Sequence, residues 1–291
     1  TFFTYSTGLP NPGTGTPEGI EASIDRIAEV HQTLERENLL DNAYFYCFDE
    51  LAYNAHRIPE ARRFIPPLRE RIPAIRVMQT SFPEESIRDL FNVWCPIIHH
   101  FDRPEDWQLL EELRADGDEI WWYMADSPKH PFPNLFLDYP PFDARILGVL
   151  SFMYDVEGML YWSINREWKT NLDANPRWPE GDWKAHIYHM HTGVRKRKNG
   201  MGNLIYPGPG GRLYPSLRLE NLRDGVEDHA YLALLRDFAS HPGSDATLAE
   251  RARDLLTIPP DVARAAGDYN PDPAFLQIGR ASCRERVYCE V

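Results

Sequence analysis

Two kinds of apolar spacing alternate along this chain. Continuous runs of about six apolar residues predict strands, and stretches whose apolar positions recur at three and four residues predict helices. The clearest run is Ala43-Tyr44-Phe45-Tyr46-Cys47-Phe48, which carries no charge and leads straight into Asp49-Glu50. Because it is continuous rather than alternating, it reads as a strand buried on both faces, as in parallel sheets. Before it, Ile20, Ile24, Ile27, His31 and Leu34 form one stripe on a helix starting at Thr16-Pro17, with Thr as N-cap and Pro at the first helical position.

The alternation continues after Glu50 with a helix from Pro59 to Arg71, a strand from Ala74 to Met78, a short helix near Glu84 to Leu90 and a strand from Val93 to Ile98. A helix from Pro104 to Ala115, a strand from Glu119 to Met124, a helix from Phe142 to Tyr154 and a strand from Met159 to Ile164 follow. With Thr1 to Ser6 as a further strand, the reading contains six, spaced widely enough for the crossovers that parallel strands need. The expected fold class is therefore α/β, a (β/α)8 TIM-barrel type that is incomplete at its N-terminal side, since closure takes eight strands. A smaller open α/β sheet fits the same periodicity.

Past Asn165 the pattern gives way to a Trp- and Pro-rich stretch, then to a Gly/Pro run from Pro207 to Gly211. Ser216 is placed to cap a long helix carrying Leu217, Leu219, Leu222, Val226, Ala230, Ala233 and Leu234, and a last helix spans Asp245 to Leu256. The division expected is a partial catalytic barrel over residues 1–240, a helical extension over 241–277, and a tail over 278–291. The stretch Ile278 to Val287 resembles the translation of a sequencing adapter, so residues 278–291 are set aside as non-native and expected to pack against nothing.

Composition narrows the function. A hydrophobic fraction of 43% with 12% aromatic residues suits a globular core. A net charge of −13 disfavours nucleic acid and anionic membranes as partners, which call for basic patches. No apolar run is long enough to insert in a bilayer. Outside the tail only Cys47 and Cys95 remain, which reads as two buried free thiols rather than a disulfide framework.

Chemistry concentrates at the strand ends. Asp49 and Glu50 sit at the C-terminal end of a predicted strand, where barrels and open α/β sheets build their sites. Trp121-Trp122-Tyr123 closes a later strand, Asp138-Tyr139-Pro140 lies in the loop after it, and Tyr161-Trp162-Ser163-Ile164-Asn165 closes another. Aromatic faces stack on the apolar faces of sugars while Asp and Asn bond hydroxyls, so Trp122, Tyr123, Asp138, Tyr139, Trp162 and Asn165 are candidate carbohydrate contacts. His186, His189 and His191, with His99 and His100, invite a zinc site, but the helical spacing puts His191 off the shared face and HExxH is absent, so no metal is assigned. No phosphate-binding loop or GxSxG elbow occurs, and no cofactor is called for. The run Arg195 to Lys198 reads as a solvated loop.

The ordered set Asp49-Glu50, Trp121 to Asp138-Tyr139-Pro140 by way of Lys129-His130-Pro131, Leu160 to Ser163, and Arg218 to Asp228 resembles the catalytic domain of glycoside hydrolase family 123 over roughly residues 1–240. The resemblance implies a (β/α)8 barrel, usually preceded by a β-sandwich, and an exo-β-N-acetylgalactosaminidase that retains configuration. It further implies that Asp49 orients and polarises the substrate's 2-acetamido group, whose oxygen attacks the anomeric carbon, while Glu50 protonates the leaving oxygen. Such enzymes depart from the two-carboxylate scheme with an enzyme nucleophile. For that role Glu50 should carry a raised pKa. The implied partner is a glycan or glycolipid, and the implied location is secreted or periplasmic. The alternative class is a non-catalytic carbohydrate-binding barrel whose acid pair only hydrogen-bonds sugar. The Arg218 to Asp228 segment reads as structural, with Glu220, Asp224 and Glu227 spaced to pair with Arg223 or Arg218.

Overall fold

The computed structural model describes residues 3–5, 15–165, 200–207, 212–274 and 276, with backbone only at 3–5 and 207. His186, His189, His191, the basic run and the adapter-like tail lie outside these residues. The chain forms two compact units, Thr1–Tyr123 with Glu157–Leu160, and Met124–Val156 with Tyr161–Val291.

The first unit is built on one sheet whose strands are β1 (Phe3–Tyr5), β2 (Ala43–Tyr46), β3 (Val77–Gln79), β4 (Val93–Trp94), β5 (Glu119–Met124) and β6 (Gly158–Tyr161), neighbours in that order. The four pairings from β1 to β5 are parallel. Spatial order follows chain order with no switch point, which is the winding of a barrel rather than of a doubly wound sheet. Among the described residues the sheet stays a half-barrel, and the eight strands of a closed barrel are not formed.

Helices α1 (Pro17–Arg36), α2 (Ile58–Arg71) and α3 (Pro104–Ala115) supply the crossovers. The Thr16 hydroxyl accepts from the Gly19 amide at 3.2 Å, the cap that the Thr-Pro start predicts. Arg71 bridges α2 to Glu21 and Asp25 of α1 at 2.5 and 3.0 Å. In and around the sheet, Phe45, Phe48, Phe64, Leu68, Met78 and Trp94 are sealed from solvent.

Three expectations need correction here. The β2 strand is not buried on both faces: Ala43 and Phe45 are buried while Tyr44 and Tyr46 are half-exposed, so the phenols form a second, polar-tipped face. The Glu84–Leu90 segment is a pair of i→i+3 turns, closed by Ile87 N to Glu84 O and Leu90 N to Ile87 O at 3.0 Å each, because seven residues after Pro83 are too few to offset helix nucleation. The strands also shift: β3 starts only at Val77, after an Ile75-to-Ile72 turn, and β4 ends at Trp94 because Pro96 has no amide to donate.

The second unit centres on α4 (Phe142–Met153), α5 (Leu217–Ser240) and α6 (Ala246–Leu256), with hairpins β7 (Ile205–Pro207)–β8 (Leu213–Pro215) and β9 (Ala263–Ala265)–β10 (Asp268–Tyr269). Ser216 and Asp245 cap α5 and α6 through the Leu219 and Leu248 amides at 3.3 and 3.0 Å. The inner face of α5 is Arg218, Gly225, Asp228 and Ala239, whereas Leu217, Val226 and Leu234 are exposed. Backbone contact explains this: Gly148 of α4 and Gly225 of α5 meet so closely that a Cβ on Gly148 would lie 1.8 Å from the Gly225 carbonyl oxygen. Beside this crossing Arg145 and Asp228 form a buried ion pair at 2.7 Å. Arg218 is spent on the carbonyls of Leu135, Gly200 and Asn203 and on the Tyr206 hydroxyl, while Arg223 takes Glu220 and Asp224 as the spacing predicts.

Candidate active site

The acid pair follows β2 within three residues and is held by its backbone from two directions. On the amide side, Gln79 at the end of the neighbouring strand β3 and Thr80 and Ser81 just after it have side chains that accept in succession from the amides of Leu51, Glu50 and Ala52 at 3.2, 3.1 and 3.1 Å. On the carbonyl side, the Asn54 amide group donates to the Asp49 and Glu50 oxygens at 3.1 and 3.3 Å. Glu50 itself adopts φ 43°, a left-handed conformation that costs a non-glycine residue about 1 kcal/mol. These bonds hold it there.

The two carboxylates have different partners. The Oδ1 atom of Asp49 accepts from the Tyr46 hydroxyl at 2.5 Å and from the Thr80 hydroxyl at 3.2 Å, and Asp49 is exposed. Half-buried Glu50 accepts at Oε1 from the Tyr123 hydroxyl, which comes from the end of β5. Burial, and then the adjoining carboxylate, push both phenols far above their ordinary pKa, so Tyr46 and Tyr123 remain proton donors. Glu50 thus meets a phenol, and Asp49 two hydroxyls.

The remaining candidates divide between the units. In the first, Trp122 is wholly buried, edge-on to Phe101 at 5.2 Å, and offers no open face in this structure; Tyr123 alone of that cluster reaches the acid pair. In the second, Tyr139 and Trp162 pack together on Phe136 and Met201, and Tyr139 stacks on His130 at 3.9 Å between ring centres. Asp138 and Asn165 are exposed in that unit, with Asn165 bridged to Asn203. Behind Tyr139 the carboxyl of Asp143 is fully buried, and burial raises its pKa to about 6. Tyr269 faces it, although no hydrogen bond of normal geometry reaches either Asp143 oxygen.

His100 is sandwiched between Phe82 and His99 and joined to Asp106 at 2.7 Å. Burial, then the His100 and Arg103 charges, lower His99 to about 4, so it is neutral at pH 7. Among the described residues no group of three metal-ligating side chains converges.

Sequence reasoning missed Tyr46, Thr80 and the Gln79–Ser81 brace. A polar triplet directly following a buried strand, at the same end of the sheet as the acid pair, was the available signal.

A singly wound parallel sheet whose C-terminal edge carries two adjacent carboxylates, one fixed and one bonded to a phenol, has the layout of a glycosidase-type domain. The family model described as glycoside hydrolase 123, catalytic domain, matches residues 15–235, and the chain belongs to that family. A solved structure similar to it is a family 123 glycoside hydrolase from Clostridium perfringens, described for glycolipid glycan hydrolysis, with a TM-score of 0.56 at 15% identity. The likeness covers 97% of this chain and 48% of that one, so this chain spans about half its length. No curated protein matches the chain by sequence.

Proposed function

We propose that this chain is the catalytic part of a retaining exo-β-N-acetylgalactosaminidase that removes terminal β-GalNAc from glycans or glycolipids with help from the substrate's own acetamido group. The observation that carries the reading is the unequal treatment of two adjacent carboxylates: Asp49 is clamped by Tyr46 and Thr80, and Glu50 is bonded to one phenol. Family membership supplies the reaction class. Adjacent side chains suit this chemistry, because no enzyme carboxylate has to reach the anomeric carbon.

In the first step the acetamido carbonyl oxygen attacks the anomeric carbon as the bond to the leaving oxygen breaks, and Glu50 gives its proton to that oxygen. Asp49 accepts the acetamido N–H and balances the positive charge of the oxazolinium. In the second step Glu50, now a carboxylate, takes a proton from water, which attacks the anomeric carbon from the vacated side and returns the acetamido group. Two displacements retain configuration. Tyr123, Asp138, Tyr139, Trp162 and Asn165 are proposed as sugar contacts. Turnover of 4-nitrophenyl β-N-acetylgalactosaminide by the full-length protein that carries this chain tests the reading. Sugar binding without turnover would instead identify a non-catalytic binding barrel.

A further inference from the structure

The Thr80 hydroxyl touches both members of the acid pair and the phenol that clamps Asp49. It accepts from the Glu50 amide at 3.1 Å, lies 2.8 Å from the Tyr46 hydroxyl, and reaches Asp49 Oδ1 at 3.2 Å. Thr80 is buried and directly follows β3, outside the acid-bearing loop. Its single proton has two acceptors in range, Asp49 Oδ1 and the Tyr46 oxygen. The Tyr46 proton has Asp49 Oδ1 at 2.5 Å. Whether Thr80 donates to Oδ1 or to the Tyr46 oxygen, the Tyr46 proton goes to Oδ1, and Asp49 Oδ2 has no bond to any described residue.

We infer that Thr80 is a positioning residue: it locks the Asp49 carboxylate by Oδ1, so that Oδ2 is the oxygen presented to the substrate's acetamido N–H. Through the Glu50 amide it also holds the left-handed turn that places the acid. This rests on the proposed acetamido-assisted reaction and adds to it which oxygen works and which residue aims it. With Tyr46 left as the sole clamp, a less firmly held Asp49 would still accept the N–H in some fraction of complexes, so losing the Thr80 contact should lower turnover more than binding.

The test compares Thr80→Val and Thr80→Ser in the full-length protein. Valine keeps the β-branched shape and removes the hydroxyl, whereas serine keeps the hydroxyl. With 4-nitrophenyl β-N-acetylgalactosaminide, Thr80→Val should lower kcat about 10- to 100-fold with KM changed less than about threefold, the scale expected for misplaced catalytic groups. Thr80→Ser should stay within about threefold of the parent. If both variants lose activity in proportion to lost melting temperature, the residue only holds the fold, and the inference fails. Full activity of a folded Thr80→Val overturns it too. Absence of turnover by the parent, or an unaffected Asp49→Asn, overturns the underlying reaction instead, so the two failures are distinguishable.

Discussion

Replacing Gly148 with alanine sets two effects against each other, and the geometry of the helix crossing decides the sign. In an isolated helix the change is favourable by up to about 1 kcal/mol, because glycine leaves more backbone freedom to lose. Here the new Cβ would lie 1.8 Å from the Gly225 carbonyl oxygen and 2.4 Å from its carbon, where real Cβ atoms keep at least 3.0 Å. The obstacle is backbone, so no rotamer relieves it, and Gly225 is itself pressed against the Arg145 carbonyl with only 2.4 Å for a Cβ of its own. Helices α4 and α5 must therefore part by more than an ångström, which also pulls on the buried Arg145–Asp228 pair at 2.7 Å. Overpacking alone costs about 1–3 kcal/mol, and breaking a buried ion pair about 3–5. A net loss of about 3–5 kcal/mol corresponds to a drop of very roughly 6–15 °C in melting temperature. Thermal unfolding followed by circular dichroism measures it. Gly117→Ala is the control: its φ is +101° but nothing lies within 4 Å, so it should cost only about 1–2 kcal/mol of strain. An unchanged or raised melting temperature for Gly148→Ala would refute the close crossing.

Two carboxyls, Asp143 and Glu50, give further outcomes. Asp143 is protonated in the folded protein up to about pH 6, while in the unfolded chain it ionises from about pH 4. Stability present at low pH is therefore lost as pH rises through that window, by about 3 kcal/mol at neutral pH. Asp143→Asn should raise the melting temperature at pH 8 and leave it nearly unchanged at pH 4; equal effects at both would contradict a buried, reluctant carboxyl. Glu50→Gln should slow a natural glycan far more than a nitrophenyl glycoside in the first step, since a phenolate leaves with little protonation, and equal losses on both substrates would argue against an acid role.

How far the sequence could be read depended on how local each signal was. The capped starts at Thr16 and Ser216 were legible because a cap is a contact between residues three apart. The strand order and parallel pairing were legible from spacing, and the acid pair from charges ending an apolar run. The brace was not: Gln79, Thr80 and Ser81 act on residues about 30 positions earlier, and only the register of β2 on β3 brings them together. The inner face of α5 was hidden for a related reason. Its packing is set by Gly225 against Gly148 and by Asp228 with Arg145, so the helix buries glycine and charge while Leu217 and Leu234 stay outside. Trp122 looked like a sugar platform because aromatic residues serve cores and sugars alike, and the structure buries it completely.

The most direct measurement of the central claim is turnover of paired 4-nitrophenyl β-glycosides, one of N-acetylgalactosamine and one of galactose, by the full-length protein and its Asp49→Asn variant. If the acetamido oxygen is the nucleophile and Asp49 holds it, only the GalNAc substrate is hydrolysed, and Asp49→Asn lowers its turnover by about a thousandfold or more, within the range that orientation effects reach. Hydrolysis of the galactoside at a comparable rate, or a near-normal rate for Asp49→Asn on the GalNAc substrate, would contradict it.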